Sequence, residues 1–449
     1  MFHLSRGHIG RRAAVLLVVT GLALTACGSS SKSSAPTTTG ASTGSAPTGS
    51  TGSATSTSSA GNTASAPGIT PTTIKIGFIT SVTGDASSNF ATSDIGAKAY
   101  FDAVNKAGGV DGRQIQLVSA DDTSSPAGAL AATQLLLGEG VFGILPDSSY
   151  YFGAYKVTTQ AGVPIVGSGF DGPEWGEQPN TNMFSTTGGI NPTHAEIQAD
   201  IPAVGLFKSI GVHNVGALAY GISPSSTQSV KDLKTALQDD GLSMGYENLS
   251  VPFGTTDVSA DVLSMKNAGT DMAVCSCVQS TVLALVTGLG QSGSKAKSLS
   301  FASADSSLFA DPTAVAAAQG LYYSSTIPPL GINNPAASTF EANLKAVDPT
   351  YVMGTNPSFG ITDAYLEAEL MVKGLQAAGQ NPTRKSFVTN LTNVTNWNAL
   401  GLLPQGVSFN HFGTSESSYC SYYVKVQGNA FVAVNGGNPF CGPVPANLK

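Results

Sequence analysis

Short apolar strands alternate with helices along most of this chain, and the alternation constrains its fold more than any other feature. Ile74–Thr80 is apolar and β-branched, as expected for a strand buried in a parallel sheet, and a helix near Thr92–Lys106 follows it. Ser125 and Pro126 fit the N-cap and first residue of a helix over Ala127–Leu137. The pattern predicts an α/β fold with a doubly wound parallel sheet.

The same alternation restarts after about residue 190. A helix near Pro192–Lys208 precedes the strand Asn214–Tyr220, and a helix near Thr227–Asp239 precedes the strand Gly245–Val251. Two units of similar layout on one chain predict two doubly wound lobes. The other predicted strands are Gln114–Ala120, Val141–Leu145, Val163–Gly167, Asp271–Cys277 and Leu299–Ala302.

The N-terminus carries the pattern of a bacterial lipoprotein signal over Met1–Cys27. Arg11 and Arg12 precede the apolar stretch Ala13–Leu24, which is too short to span ~30 Å of hydrocarbon but fits a signal peptide. The sequence Leu-Thr-Ala-Cys that ends at Cys27 resembles a lipobox, in which the cysteine is lipidated and becomes the first residue. Two acyl chains anchor a protein stably, so we expect a protein tethered to the extracytoplasmic face of the cell membrane.

The segment 28–71 is built almost entirely of Ser, Thr, Gly, Ala and Pro, and predicts a disordered tether. The remaining body, from Thr72 to Lys449, is long enough for two lobes with separate cores. Only 11% of all residues are charged, the net charge is -7, and no basic stripe is present. A nucleic-acid partner is therefore not expected.

Several segments, in this order and spacing, resemble the type I periplasmic binding proteins of the branched-chain amino acid transporter class. The best match is Gly96–Asp122, with its helix, double glycine, Asp-Gly-Arg turn and second strand; Thr83-Gly84 and the Asp-Met-Ala-Val that begins at Asp271 also fit. The resemblance implies two lobes that close on a small molecule. It places lobe one at 72–187 and 330–403, lobe two at 188–327 and 404–449, and three crossings near Thr186–Gly189, Thr326–Gly331 and Gly401–Gly406.

The candidate binding residues follow the ends of the predicted strands, because ligands of open α/β sheets bind at the carboxyl ends of the strands. Hydroxyl groups and free backbone amides at these ends suit a polar ligand, and Phe359 at a helix start offers an apolar wall. The alternative for each residue is structural, as a helix cap, a loop brace or a core aromatic; Glu174 and Trp175 are expected on a surface loop. The candidates are Asp147, Ser148, Ser149, Gly169, Phe170, Asp171, Tyr220, Ser225, Cys277, Val278, Asp305 and Phe359.

The resemblance assigns roles to some of these residues. Ser148 or Ser149 matches the serine that holds a ligand carboxylate, and Asp305 matches the acid that pairs with a ligand ammonium. Asp171 takes a position that is Ser or Thr in the amino acid binders, and an acid there would repel a carboxylate. Two tyrosines of the family are replaced by Ser225 and Val278. The resemblance therefore implies the family's fold for this chain, but it does not imply the family's specificity for amino acids.

The cysteines other than Cys27 predict at least one disulfide, since an extracytoplasmic compartment is oxidising. Cys420 and Cys441 flank a hairpin predicted over Ser421–Asn435, and we expect them to be bonded. Cys275 and Cys277 lie on one face of a strand near the upper limit for bridging. A local bond and free thiols are favoured there, and a redox switch remains open.

The sequence does not predict an enzyme. His194, His213 and His411 are widely spaced, no Gly-x-Ser-x-Gly elbow occurs in the body, and no cofactor or metal is expected.

The leading hypothesis is a monomeric, lipid-anchored receptor that captures a small polar solute, an amino acid or related compound, and delivers it to the permease of an ABC importer. The alternative is a receptor that signals to a membrane partner instead of delivering cargo.

Overall fold

The computed structural model describes residues 61–302 and 306–449. The predicted signal, the lipidation site Cys27, the tether up to residue 60 and the candidate ligand residue Asp305 lie outside these ranges. None of the helices within the described ranges combines the length and the apolar character needed to cross a membrane.

The first sheet has five strands, all parallel, in the order β2-β1-β3-β4-β5. The strand β1, which lies between β2 and β3, is mostly apolar, as expected where helices cover both faces of the sheet. The strands are β1 (Thr73–Thr80), β2 (Gln114–Asp121), β3 (Gly143–Asp147), β4 (Ile165–Gly167) and β5 (Met183–Ser185).

The second sheet has eight strands. Its main path runs β12-β11-β10-β9-β8-β6-β7, parallel from β7 to β10 and antiparallel at β11 and β12, and β13 pairs with the other end of β11. The strands are β6 (Asn214–Tyr220), β7 (Ser243–Val251), β8 (Met272–Ser276), β9 (Lys297–Ser300), β10 (Tyr322–Ser325), β11 (Ser418–Gln427), β12 (Ala430–Ala433) and β13 (Phe440–Pro443).

Helices cover both faces of each sheet. We call the first sheet with α1–α4 and α10–α12 the first lobe, and the second sheet with α5–α9 the second lobe. The helices are α1 (Ser87–Phe90), α2 (Asp94–Lys106), α3 (Pro126–Gly138), α4 (Tyr155–Gln160), α5 (Ile197–Ser209), α6 (Pro224–Asp239), α7 (Ser259–Asn267), α8 (Gln279–Gln291), α9 (Pro312–Ala318), α10 (Pro335–Val347), α11 (Phe359–Ala378) and α12 (Arg384–Leu391).

Each lobe has an apolar core on either face of its sheet. In the first lobe α2, α10, α11 and α12 pack on one face and α3 packs on the other. In the second lobe α5 and α6 cover one face, and α7, α8 and α9 cover the other. The chain passes between the lobes three times: between β5 and α5, between β10 and α10, and between α12 and β11. The predicted doubly wound α/β architecture is confirmed.

The last residues of the predicted tether, 61–71, pack against the first lobe. Residues 61–71 are held against the first lobe by the guanidinium of Arg113, which donates to the carbonyl oxygens of Thr63 at 3.1 Å and Thr70 at 2.7 Å. The Thr63 amide also donates to Asn381 Oδ1 at 2.9 Å, and Ile69 is buried. Composition alone missed this segment because its partners lie in distant parts of the chain.

Two disulfides brace the second lobe: Cys275 is bonded to Cys277, and Cys420 is bonded to Cys441. The predicted bond between Cys420 and Cys441 is confirmed, and these residues face each other across the antiparallel pair β11 and β13. The bond at Cys275 and Cys277 matches the local bond that was one of the alternatives.

The double variant C420S/C441S is expected to lower the free energy of unfolding by about 3 kcal/mol, because that bond closes a loop with a separation of 21 residues. The matched variant C275S/C277S opens a separation of only 2 residues and should cost less than half as much. Guanidinium unfolding of both variants measures the difference. Equal losses from the two bonds would contradict the loop-closure account.

Candidate functional site

A cavity of about 210 Å³ lies between the two lobes and is lined by side chains from both. The strand ends of β4 and β6, the helix starts of α6 and α11, and the crossing segments all contribute to its wall. This is the place where open α/β sheets bind ligands. Its size suits a small molecule.

Three phenylalanines form the apolar part of the wall on the first lobe. Phe90 ends α1, Phe170 follows β4, and Phe359 opens α11, where Ser358 caps the helix by accepting from the Ile361 amide at 3.3 Å. The ring centroids lie 5.8 Å apart for Phe90 and Phe170 and 5.3 Å apart for Phe170 and Phe359. Mutual packing fixes these rings as an apolar surface.

Tyr220, at the end of β6, is the main aromatic residue of the second-lobe wall. Its hydroxyl donates to Thr281 Oγ1 at 2.7 Å and accepts from the Val278 amide at 3.1 Å, so two hydrogen bonds hold the hydroxyl end of the ring. Phe253 packs on Tyr220 with centroids 4.4 Å apart and on Tyr150 of the first lobe at 5.4 Å. Phe253 therefore connects the walls of the two lobes.

Hydroxyl groups at the start of α6 form a polar part of the same wall. Ser223 is the N-cap and accepts from the Ser226 amide at 3.2 Å, while Ser226 Oγ donates to the Ser276 carbonyl at 2.7 Å. Ser225 Oγ lies 3.0 Å from Ser223 Oγ. Ser149 supplies a further hydroxyl from the first lobe. Such groups can donate to or accept from a ligand.

Two carboxyl side chains also line the cavity. Asp363 lies one turn after Phe359 on α11, and burial raises its pKa to about 7. Glu196 precedes α5, and burial followed by the charges of Asp232 and Asp171 raises its pKa well above the usual range. Both side chains are more than nine-tenths buried.

The structure brings seven of the twelve predicted residues to this wall. They come from the ends of β3, β4, β6 and β8 and from the starts of α6 and α11. The seven are Ser149, Phe170, Tyr220, Ser225, Cys277, Val278 and Phe359.

The structure does not bring Asp147 or Ser148 to the wall. β3 runs two residues further than predicted, so Asp147 still pairs with Thr80 in the sheet and is buried against α11. Ser148 is bonded within the first lobe, where its hydroxyl donates to Asp122 and accepts from the Tyr150 amide at 3.0 Å. Both residues take the structural alternative.

Gly169 and Asp171 also lie away from the wall. Gly169 has a φ of 75° and turns the chain after β4. Asp171 Oδ1 accepts from Trp175 Nε1 at 2.6 Å, and burial raises the pKa of this carboxyl to about 6. The expectation that Glu174 and Trp175 sit on a surface loop is wrong, since both are 2% exposed. Asp305 lies outside the described residues.

Sequence reasoning missed Glu196, Phe253 and Asp363 as wall residues. Asp363 follows Phe359 by four residues, and that helical spacing could have indicated it. Glu196 was placed inside a helix predicted from Pro192, but α5 begins at Ile197, so Glu196 ends a turn instead. Its amide donates to Asp232 Oδ2 at 3.2 Å. Phe253 lies two residues after the predicted strand Gly245–Val251, and that strand-end position could have indicated it.

Comparisons with known proteins agree with this geometry. Leu/Ile/Val-binding protein homolog 3 from Brucella melitensis biotype 1 is 27% identical over 203 residues, which cover 44% of this chain and 53% of that relative. This chain therefore spans about half the length of that curated relative.

Solved structures share the fold. The fatty acid ABC transporter substrate-binding protein from Thermomonospora curvata has a TM-score of 0.69 at 20% identity and covers 82% of this chain and 93% of its own. A branched chain amino acid ABC transporter protein from Thermus thermophilus with bound valine has a TM-score of 0.66 at 17% identity, covering 84% and 97%.

A family model described as periplasmic binding protein matches residues 73–429, which is most of the chain. The two parallel-strand sheets and the cavity between them agree with that match. The resemblance inferred from the sequence is confirmed: this chain belongs to the periplasmic binding protein family and has its type I fold.

Proposed function

We propose that this protein is an extracytoplasmic receptor that captures a small polar solute, an amino acid or a related compound, and delivers it to an ABC import permease. The observation that carries the proposal is the cavity lined by both lobes. A ligand that touches both walls favours the state in which the lobes are close, because it binds that state more tightly. The solved relatives that carry valine or are named for fatty acids support a small-molecule ligand.

The lobes touch directly beside the cavity. Phe253 of the second lobe packs on Tyr150 of the first, and the Ser306 amide donates to the Asn356 carbonyl at 3.1 Å. The closed arrangement is the state that a permease would recognise.

The three crossings serve as the hinge in this proposal. Thr186 and Thr326 lie in the predicted crossing segments and also line the cavity. Hinges are short segments that absorb backbone rotation while the lobes move as bodies. Ligand contacts at these residues would couple binding to closure.

The attachment to the membrane is proposed from the sequence. Lipidation at Cys27 would hold the receptor at the extracytoplasmic surface, and the Ser/Thr/Gly/Ala/Pro segment up to about residue 60 would give it reach toward its permease. The alternative, a receptor that signals instead of delivering cargo, uses the same closure.

A thermal-shift panel tests the proposal. The panel contains leucine, isopentylamine, 4-methylpentanoate, phenylalanine, phenethylamine, 3-phenylpropionate and benzoate. A ligand that binds only the native state raises the melting temperature, and the rise grows with the logarithm of its concentration once that concentration exceeds Kd. We expect at least one compound to give such a concentration-dependent shift, and to bind saturably in calorimetry with a stoichiometry of one. Absence of saturable binding across the whole panel would contradict the proposal.

Phe253→Ala is expected to weaken the affinity for the tightest panel ligand about tenfold, because it removes aromatic contacts worth roughly 1.4 kcal/mol that link the lobes. Calorimetry measures the change. Phe431→Ala is the matched control: Phe431 is half-buried and packs on Phe309 and Tyr323, but it does not line the cavity. A loss of affinity in the control as large as in Phe253→Ala would show that the effect is not local.

A further inference from the structure

We propose that the solute is an organic cation, an amine with an apolar body, whose positive group pairs with Glu196 and Asp363 in the cavity. This inference rests on the proposed function and specifies its ligand class. It follows from the charges that the two lobes place on the cavity wall and from the surroundings of those charges.

The cavity wall is acidic. Among the described residues that line the cavity, those of the types Asp, Glu, Lys, Arg and His are Glu196 and Asp363. Both carry a carboxyl group. Glu196 comes from the second lobe and Asp363 from the first. A ligand held between the lobes therefore meets a carboxyl from each lobe and no basic side chain of the described wall.

Glu196 is poised to accept from a ligand. Within the part of the chain that the structure describes, its Oε1 is buried and has no hydrogen-bond partner, and its Oε2 is 3.5 Å from Gln198 Nε2. A buried acceptor without a partner is costly, and a ligand donor would remove that cost. The aspartates around it, Asp171, Asp200 and Asp232, add negative charge.

The basic side chain of His194, two residues before Glu196, pairs with a different carboxyl. His194 Nδ1 lies 2.8 Å from Asp232 Oδ1, so this ring is already engaged with another carboxyl. Asp232 also accepts from Gln228 Nε2 at 2.8 Å. The free oxygen of Glu196 thus remains available to a cation in the cavity.

Two further buried acids, Asp147 and Glu367, lie near Asp363. After the larger effect of burial, the charge of Asp363 raises the pKa of Asp147, and the charges of Asp147 and Asp363 raise the pKa of Glu367. In residues 61–302 and 306–449 none of these three carboxyls has a Lys, Arg or His within ion-pair distance. Burial of a charge is tolerated when a partner compensates it, and a ligand cation supplies that partner.

The rest of the wall suits the apolar body of such a ligand. Phe90, Phe170 and Phe359 face it from the first lobe, and Phe253 and Val278 from the second. Aromatic faces attract cations as well as apolar groups. A carboxylate in the same space would instead be repelled by both wall acids.

Matched compounds from the panel separate these charges. Isopentylamine, leucine and 4-methylpentanoate share one branched apolar body. The first carries an ammonium group, the second an ammonium and a carboxylate, and the third a carboxylate. Phenethylamine, phenylalanine and 3-phenylpropionate form the same series with an aromatic body. Calorimetry at pH 7.5 should give each amine at least tenfold tighter binding than its carboxylate, and binding at least as tight as its amino acid.

Two variants test the residues. Glu196→Gln and Asp363→Asn should each weaken amine binding at least tenfold and reduce the preference for the amine over the carboxylate. Glu247→Gln is the control for net charge, since Glu247 is paired with Lys234 on the surface at 2.7 Å and is remote from the wall. The control should bind the amines as the unmodified protein does.

The possible outcomes are distinguishable. Tighter binding of a carboxylate or an amino acid than of its matched amine would overturn the cation inference and leave the receptor function supported. Amine binding that is unchanged in both Glu196→Gln and Asp363→Asn would also overturn it. Failure of every amine to bind overturns the inference, and failure of the whole panel counts against the proposed function as well.

Discussion

Gly96→Ala is expected to destabilise the first lobe by about 3 kcal/mol or more, because it forces two helices apart. Gly96 lies in α2 where that helix meets α11. A Cβ atom there would overlap the carbonyl oxygen of Ile361 and lie 3.0 Å from the Tyr365 amide nitrogen. Both obstacles are helix backbone, which cannot rotate away as a side chain would. Guanidinium unfolding and soluble yield measure the loss.

Gly138→Ala provides the matched control. Gly138 is the last residue of α3, has ordinary backbone angles, and would meet nothing within 4 Å of an added Cβ. Alanine in a helix restricts the unfolded chain more than glycine, so this variant should be neutral or more stable by about 0.5–1 kcal/mol. Equal destabilisation by the two substitutions would contradict the close packing of α2 on α11.

The protein is expected to be markedly more stable at pH 5 than at pH 8. Burial raises the pKa of Asp363 and of Glu369 to about 7, and the pKa values of Asp147 and Glu367 are also raised well above normal. Carboxyls in the unfolded chain titrate near pH 4, so between about pH 4 and 7 the folded state binds more protons. These carboxyl groups therefore contribute their whole stabilisation below that pH range, and the protein loses it as the pH rises through the range.

The size of the change follows from the shifts. Each unit of pKa corresponds to about 1.4 kcal/mol, so the loss between pH 5 and pH 8 should reach roughly 3 kcal/mol or more. Thermal unfolding at the two pH values should then differ by more than about 5 °C. The groups that face these acids, the hydroxyls of Ser93 and Ser168 and the indole of Trp397, lower their pKa values only partly.

Glu367→Gln tests the assignment within the same measurement. Glu367 Oε1 accepts from the Ser168 amide at 2.9 Å, and a glutamine carbonyl can keep that bond. The variant removes a carboxyl that must lose its proton at high pH beside Asp147 and Asp363. It should therefore be more stable than the unmodified protein at pH 8 and lose that advantage at pH 5. A pH dependence as steep as before would contradict a role for Glu367.

Much of the fold could be predicted from the sequence because its strands and helices are locally encoded. Asn214–Tyr220 is apolar after its first residue and forms β6 with the predicted bounds. Ser125 caps α3 as expected, with its side chain accepting from the Gly128 amide at 3.0 Å. The segment 61–71 could not be predicted, since its order depends on Arg113 and on residues near 381 that are remote in sequence.

The site was only partly predictable for a similar reason. Strand ends indicate a region, and Tyr220, Ser149 and Phe359 do line the cavity. Whether a residue just after a strand faces the cavity or the core depends on where the strand stops. β3 ends at Asp147, which puts that carboxyl inside the first lobe. Glu196 reaches the wall from the turn before α5, because the helix begins five residues later than the sequence predicted.

Small-angle X-ray scattering during a ligand titration tests the central claim, that a small molecule binds between the lobes and closes them. The ligand is the panel compound with the tightest calorimetric Kd, added to the purified protein. We predict a radius of gyration that falls in proportion to the fraction bound and levels off at one ligand per chain. A scattering profile unchanged at saturation would contradict the claim.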